Sequence, residues 1–290
     1  MTENQQIIKT MKNFIKAGLF LIACMNTPIF IQAQDNSQQL VVPLSDPAKP
    51  GSLDLSIQNG SITVTGYGGK DVIINVSTNQ KKLEEDEDKG KDKDETHDGL
   101  KKISNNSIGL SASEDENTVK VVSTNWNKSV DLEIQVPRNF NVKLRDINDG
   151  DITVDNVNGS LDVGHVNGSI TLTNISGSAV VNTTNGDIKA SFIKLSGDTP
   201  MAFSTFNGDI DVTLPPDTKA NLKMKSDQGD IYTDFDMAVS KTTPKVENKQ
   251  ESGEYKISME SWVDGAINGG GPTFSFKNFN GDILIRKKKS

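Results

Sequence analysis

The chain has 290 residues, and 31 Lys and Arg against 39 Asp and Glu give a formal charge of −8. That balance disfavours general nucleic-acid binding, which draws most of its affinity from neutralising phosphates. Apolar residues make up 34% and aromatics 6%, with 24 Gly, one Cys and two His; these numbers exclude a thick core, a disulfide scaffold and cysteine-rich metal sites, and fit a thin, turn-rich β architecture.

Residues 1–33 have the layout of a secretory signal peptide. Lys9, Lys12 and Lys16 precede an apolar stretch over 17–23, a second apolar patch covers 28–31, and Ala33 ends the segment. Asn26, Thr27 and Pro28 interrupt the apolar run, so no transmembrane span is expected. Cleavage after Ala33 is the expected processing. The alternative is a lipobox over 21–24, with Cys24 lipid-modified as the mature N-terminus; the apolar residues that follow Cys24 argue against it. Both routes predict an exported protein, in the periplasm, at the cell surface or secreted.

Residues 34–51 are polar, contain Pro43, Pro47 and Pro50, and are expected to lack fixed structure. An N-terminal β region follows over 52–136. Leu53, Leu55 and Ile57 alternate with polar residues, Asn59 and Gly60 turn the chain, and Ile62 and Val64 alternate again. Residues 72–76 predict a further strand. The segment 81–98 breaks the pattern: five Lys and nine acidic residues give 5 − 9 = −4, with a single Leu. Such a segment buries too little apolar surface to offset its ordering entropy, so a disordered, solvated insertion is expected. Strands resume at 108–110, 119–121 and 130–136.

Residues 137–235 hold the repeats. Gly150, Gly159, Gly168, Gly177 and Gly186 recur every nine residues, and Ile, Leu, Val or Ala fills the third and fifth positions of each unit. Those two positions share one side of a short strand. The eighth position (Val157, Val166, Ile175, Thr184, Ile193) is expected to turn inward after the bend. Asn or Ser usually precedes the Gly, and Asp or Ser usually follows it, as left-handed turns require. Two units would make an eighteen-residue rung that stacks on the next by parallel pairing, with Gly150, Gly168 and Gly186 in one corner column and Gly159 and Gly177 opposite. Antiparallel hairpins are the competing arrangement. The motif returns at Gly208 and Gly229, at spacings of 22 and 21, which suggests longer rungs. A loop is expected over 236–253. A β cap and basic tail are expected over 254–290, where Phe274, Phe276 and Phe279 lead to Gly281 and would close the open end.

The recurring N-G-[DS]-[IL]-x-[VL], the strand endings at Val136-Pro137 and Leu214-Pro215, and the terminal Asn280-Gly281 turn resemble the putative-adhesin β-solenoid family of exported bacterial proteins, a domain-of-unknown-function family. The resemblance covers about residues 52–286 in its repeating unit. It implies an all-β fold of right-handed parallel stacking and an adhesive role. It supplies no catalytic, cofactor or metal residues, and the insertion at 81–98 departs from it.

The residues themselves carry little chemistry. A calcium β-roll needs paired glycines and aspartates at every corner, whereas Asp151 is followed down its column by Ser169 and then Asp187. Asp209 and Asp211 share a strand face, but such pairs recur only because the turn motif recurs. His165 at a corner is expected to be a solvated turn residue, His97 lies in the charged segment, and Trp126 and Trp262 are isolated. Residues 286–289 read as a frayed basic tail. The expectation is a non-enzymatic exported protein without cofactor or metal, an adhesin or binding module at the cell envelope. Its partner would be a glycan, a host-matrix protein or an envelope protein, with homo-oligomerisation open. An envelope scaffold or stress-signalling component and a carbohydrate-active β-helix enzyme are the alternatives.

Overall fold

The computed structural model describes residues 38–77, 109–123, 128–241, 245–251, 254–260 and 262–289. The expected signal peptide, the charged segment 81–98, His97 and Trp126 lie outside the described residues. Within them the protein is all-β, with no helix long and apolar enough to cross a membrane. Twenty strands, numbered in chain order, join one hydrogen-bonded sheet.

The strands line up in two ladders. The first runs β5 (Leu110–Asp115), β6 (Thr118–Ser123), β2 (Gly51–Ser56), β8 (Phe140–Arg145), β10 (Asn158–Gly164), the second half of β11 (Ile170–Asn182), β13 (Met201–Asn207), β21 (Thr273–Asn280), β15 (Ala220–Gln228), β20 (Val263–Ile267) and β17 (Met237–Lys241). From β6 to β15 every neighbour is parallel, and the outer strands β5, β20 and β17 pair antiparallel. The second ladder runs β1 (Gln38–Pro43), β4 (Asp71–Ser77), β7 (Asp131–Pro137), β3 (Ile62–Tyr67), β9 (Ile152–Asp155), the first half of β11, β12 (Ile188–Leu195), β14 (Ile210–Leu214), β22 (Ile283–Lys287) and β16 (Ile231–Thr233). It is parallel from β7 onward and antiparallel at β1 and β4. The 13-residue β11 bends at an irregularity after Leu172 and serves both ladders.

The nine-residue units pair in alternation. Ile170 faces Ile152 and Ile188 in the second ladder, while Leu161 faces Ala179 in the first, so partners within a ladder lie 18 residues apart. No antiparallel hairpin forms within 150–193. Alternation then builds the core. Third- and fifth-position side chains such as Ile152, Val154, Ile170 and Leu172 are fully buried, whereas the residues between them reach solvent. Each buried aliphatic or phenyl side chain contributes roughly 1.5–3 kcal/mol. One apolar face per strand meets this need, which is how a chain with 34% apolar residues sustains the stack. Phe203 stacks on Phe276 at 5.3 Å and meets Phe192 edge-on at 6.3 Å.

Chain order and stacking order differ at both ends. The rung β2–β3 sits between β6–β7 and β8–β9. The rung β21–β22 sits between β13–β14 and β15–β16. The aromatic C-terminal segment is therefore an inner rung, and the cap expected there is formed by β15, β16, β20 and β17. The spacing of 22 does mark a longer rung, since Ile210 faces Ile188. The spacing of 21 does not, because Gln228 faces Asn280.

Two further expectations are corrected. Of the expected unstructured segment 34–51, the described residues 38–51 are ordered: β1 pairs with β4 from Gln38↔Val76 to Pro43↔Asp71, and the Asp46 amide and carbonyl bond the Asn117 side chain. Main-chain hydrogen bonding to an open edge orders a segment whose side chains are mostly exposed. The loop expected over 236–253 contains β17, paired with β20, and β18 (Lys245–Glu251), which forms a hairpin with β19 (Glu254–Glu260). Polar composition concealed strands that main-chain pairing holds in place.

Candidate functional site

The most regular surface is the corner linking the first ladder to the second. Down it run Gly60, Gly150, Gly168, Gly186, Gly208, Gly281 and Gly229; a side chain would begin against the Val130 carbonyl at Gly60 and against the preceding glycine's carbonyl at each of the others. A Cβ on Gly186 would lie 2.2 Å from the Gly168 oxygen. Gly159 and Gly177 face each other on the opposite side, and a Cβ on Gly177 would meet the Gly159 oxygen at 2.0 Å. Left-handed backbone explains only part of this: Gly150, Gly177 and Gly186 have positive φ, while Gly159, Gly168 and Gly229 do not. At Gly168 the demand is close approach, with the Gly150 oxygen and the His165 ring both 2.2 Å from an added Cβ.

Beside the glycines stands a ladder of asparagines. The amide of Asn167 donates to Asn148 Oδ1 at 3.1 Å, Asn185 to Asn167 at 2.8 Å, Asn207 to Asn185 at 2.8 Å, and Asn280 to Asn207 at 3.5 Å. On the other side, Asp187 Oδ1 accepts the Asp209 N–H, Asp209 Oδ1 the Asp282 N–H, and Asp282 Oδ1 the Asp230 N–H, each at 2.8 Å. Four consecutive rungs thus carry an aspartate at this place, with Asp282 of the inserted rung between Asp209 and Asp230. Among the described residues, no group of three or more His, Cys, Asp or Glu is placed to hold a metal ion.

Inside the corner lies a third column, one polar side chain per rung. Thr183 Oγ1 donates to the Gly168 carbonyl at 3.0 Å, Thr205 Oγ1 to Gly186 at 2.9 Å, Asn278 Nδ2 to Gly208 at 2.8 Å and Ser226 Oγ to Gly281 at 2.9 Å. His165 belongs to this column. It is buried, not solvated as its turn position suggested: Nδ1 accepts the Val166 N–H at 2.9 Å, leaving Nε2–H to donate to Gly150 at 3.0 Å. Asp146, one rung earlier, is also buried. Its Oδ1 accepts the Ile147 N–H at 2.8 Å, its Oδ2 has no hydrogen-bond partner, and His165 Nε2 is 3.7 Å from Oδ2. Burial pushes the Asp146 carboxyl up to about 7, against the lowering effect of the Ile147 amide. An ionised carboxylate cannot supply the donor that every later rung supplies here.

Outside the corner, the residue before each asparagine forms an apolar stripe: Ile147, Val166, Phe206 and Phe279 are all exposed, with Thr184 among them. The inward turn expected of the eighth position holds at Val157 and Ile175 but not at Val166, Thr184 or Ile193. At this corner the inside is occupied by His165 and Thr183. Phe206 and Phe279 stack at 4.5 Å with 3° between their planes. Beside them is a groove of about 320 Å³ lined by Thr183, Thr205, Lys225, Asp227 and both phenyl rings.

The remaining candidates are structural. Asp211 pairs with Arg286 at 2.8 Å instead of acting with Asp209, and Arg286 and Lys287 lie in β22, not in a frayed tail. Trp262 lies under Lys223 Nζ, 4.5 Å from the ring centroid. Single-chain periodicity located the glycines. It could not locate the Phe206–Phe279 pair or the Asp146–His165 contact, because both depend on which rungs are neighbours.

A stack of short strands with glycine corners defines an all-β repeat protein. Residues 126–268 match the model of the Toastrack DUF4097 family, and the resemblance to a domain-of-unknown-function family thus stands for this stretch. No curated protein matches the chain. Among solved structures, a putative cell adhesion protein from Clostridium sporogenes is 12% identical with a TM-score of 0.46, covering 87% of this chain and all of its own. A putative adhesin from Bacteroides fragilis is 11% identical with a TM-score of 0.37, covering 87% and 97%. A putative lipid binding protein from Parabacteroides distasonis is 10% identical with a TM-score of 0.28, covering 88% and 98%. At these scores the likenesses carry no functional information.

Proposed function

We propose that this chain is a non-enzymatic, exported β-solenoid that serves as a binding or adhesion module at the cell envelope. The solenoid reading rests on the parallel registers, in which two nine-residue units make one rung. The signal-like residues 1–33 support export, and the family resemblance supports adhesion. The observation that carries the binding role is the asparagine ladder from Asn148 to Asn280. Repeated amides along one straight edge offer many weak polar contacts, whose combined strength grows through multivalency. The non-enzymatic reading follows from chemistry: the carboxylates near this edge accept backbone amides or pair with Arg286, which suits a structural role better than proton transfer.

A glycan and matrix-protein array, run beside a crosslinking pull-down from cell envelopes, tests this reading. Saturable binding to a glycan or matrix protein supports adhesion. Silence on the array with one stoichiometric envelope partner replaces adhesion by the scaffold role, and turnover of any polysaccharide on the array overturns the non-enzymatic role.

A further inference from the structure

We propose that the corner edge binds an uncharged polysaccharide, with the Phe206–Phe279 stack and its groove as the anchoring subsite. The proposal rests on the binding reading above and names the surface and ligand class within it.

The width of the apolar stripe bears first on the ligand. Ile147, Val166, Phe206 and Phe279 stand in single file, one side chain wide, and each is followed directly by an asparagine. An amphipathic helix needs a broader apolar strip. A pyranose ring suits the stripe, since its C–H face is apolar and its hydroxyls lie at the rim within reach of neighbouring amides. Phe206 and Phe279 remain 49% and 37% exposed although stacked on each other, so ring surface is still open to a ligand.

Hydrogen-bonding capacity comes second. The inner ladder asparagines Asn167, Asn185 and Asn207 each use one amide hydrogen and one carbonyl lone pair on their neighbours, and an amide has two of each. A free donor and a free acceptor therefore remain per rung, repeating every ~4.8 Å along the edge. Sugar hydroxyls donate as readily as they accept and match both.

Charge decides between neutral and anionic chains. Asp187, Asp209, Asp282 and Asp230 run consecutively beside the asparagines. In the groove, Lys225 is paired with Asp227 at 3.4 Å, and Lys277 adds one further cation against the four aspartates of the column. A uronic-acid or sulfated polymer on this edge would lie along a row of carboxylates, whereas an uncharged polymer meets no such repulsion.

Affinity electrophoresis of the full chain through gels containing xyloglucan or hydroxyethylcellulose tests the proposal, with polygalacturonate and heparin gels as anionic counterparts. Wild-type protein should be retarded by a neutral polymer and not by the anionic ones. Phe206→Ala and Phe279→Ala should each weaken retardation about tenfold, the scale of one lost ring contact. Phe279→Tyr, which keeps the ring, should bind as wild type. Melting curves separate lost contact from lost fold: an alanine variant that melts as wild type yet binds weakly supports the proposal. Retention only by anionic gels, or undiminished retention of the double alanine variant, overturns it. Absence of retention by neutral gels, with envelope or matrix binding intact on the array, overturns the glycan assignment and leaves the binding reading standing. Absence of binding in every format overturns both.

Discussion

Asp146→Asn should make the protein more stable at pH 8 and leave it unchanged near pH 4. The carboxyl is buried, one oxygen has no hydrogen-bond partner, and the neighbouring Asp149 adds like charge. Its pKa rises from 3.8 to about 7. A group raised on folding contributes stability that is fully present below its unfolded pKa and lost as pH rises through its folded pKa. The loss therefore accumulates between about pH 4 and pH 7 and then levels off. At 1.36 kcal/mol per pH unit, the span corresponds to about 4 kcal/mol. Asparagine has no charge to bury, keeps an oxygen for the Ile147 amide, and adds the donor that Asn278 already supplies at the matching place in the column. Urea titrations of both proteins from pH 4.5 to 8 isolate the effect, because every other titrating group is common to them. The difference should be small at pH 4.5 and grow to several kcal/mol by pH 8. A variant less stable than wild type at pH 8, or a difference constant with pH, would refute the reasoning.

The corner glycines give a paired prediction. Gly186→Ala should lower stability by about 3 kcal/mol or more, through backbone overlap and a positive φ, whereas Gly68→Ala, with open space and no such φ, should be neutral or stabilising by up to ~1 kcal/mol; chemical denaturation checks both. Thr205→Val keeps the side-chain volume but removes the bond to the Gly186 carbonyl, and should cost roughly 1–2 kcal/mol in the same assay. Phe276→Ala should cost about 3–5 kcal/mol, since this ring is buried against Phe203 in an inner rung; a frayed C-terminal cap would lose far less. Breaking the exposed Arg286–Asp211 pair by Asp211→Asn should change stability by no more than about 1 kcal/mol.

What could be read from the sequence was what depends on near neighbours in the chain. Alternating Ile and Val at 152, 154, 170 and 172 marked strands and their buried faces, because a strand's period is a property of the backbone. The nine-residue glycine spacing marked corners, because each corner repeats the same close approach. Strands without an apolar alternation, β1 and β17, were hidden, since edge pairing satisfies main-chain groups whatever the side chains. Stacking order was hidden for a different reason: each rung presents nearly the same edge, so the motif at Asn280 fits equally well at the end of the stack or inside it. The candidate site inherits that limit. Phe206 and Phe279 are 73 residues apart in sequence and touch only through the inserted rung. The burial of His165 was missed because Asn156 and Asn174, at the same turn position in the flanking units, are not buried.

The aromatic subsite and the closed end both require β21 to lie between β13 and β15, and disulfide trapping tests this most directly. Ser275 faces Ala202 on one side and Lys223 on the other. Neighbouring strands at ~4.8 Å are within reach of a disulfide, while strands two apart are not. With Cys24 replaced by Ser, the pairs Ala202→Cys with Ser275→Cys and Lys223→Cys with Ser275→Cys should both oxidise to intramolecular crosslinks, read by peptide mass mapping. The pair Ala202→Cys with Lys223→Cys should stay reduced. Crosslinking of that last pair, with Ser275→Cys left free, would mean that the rungs stack in chain order and would contradict the account.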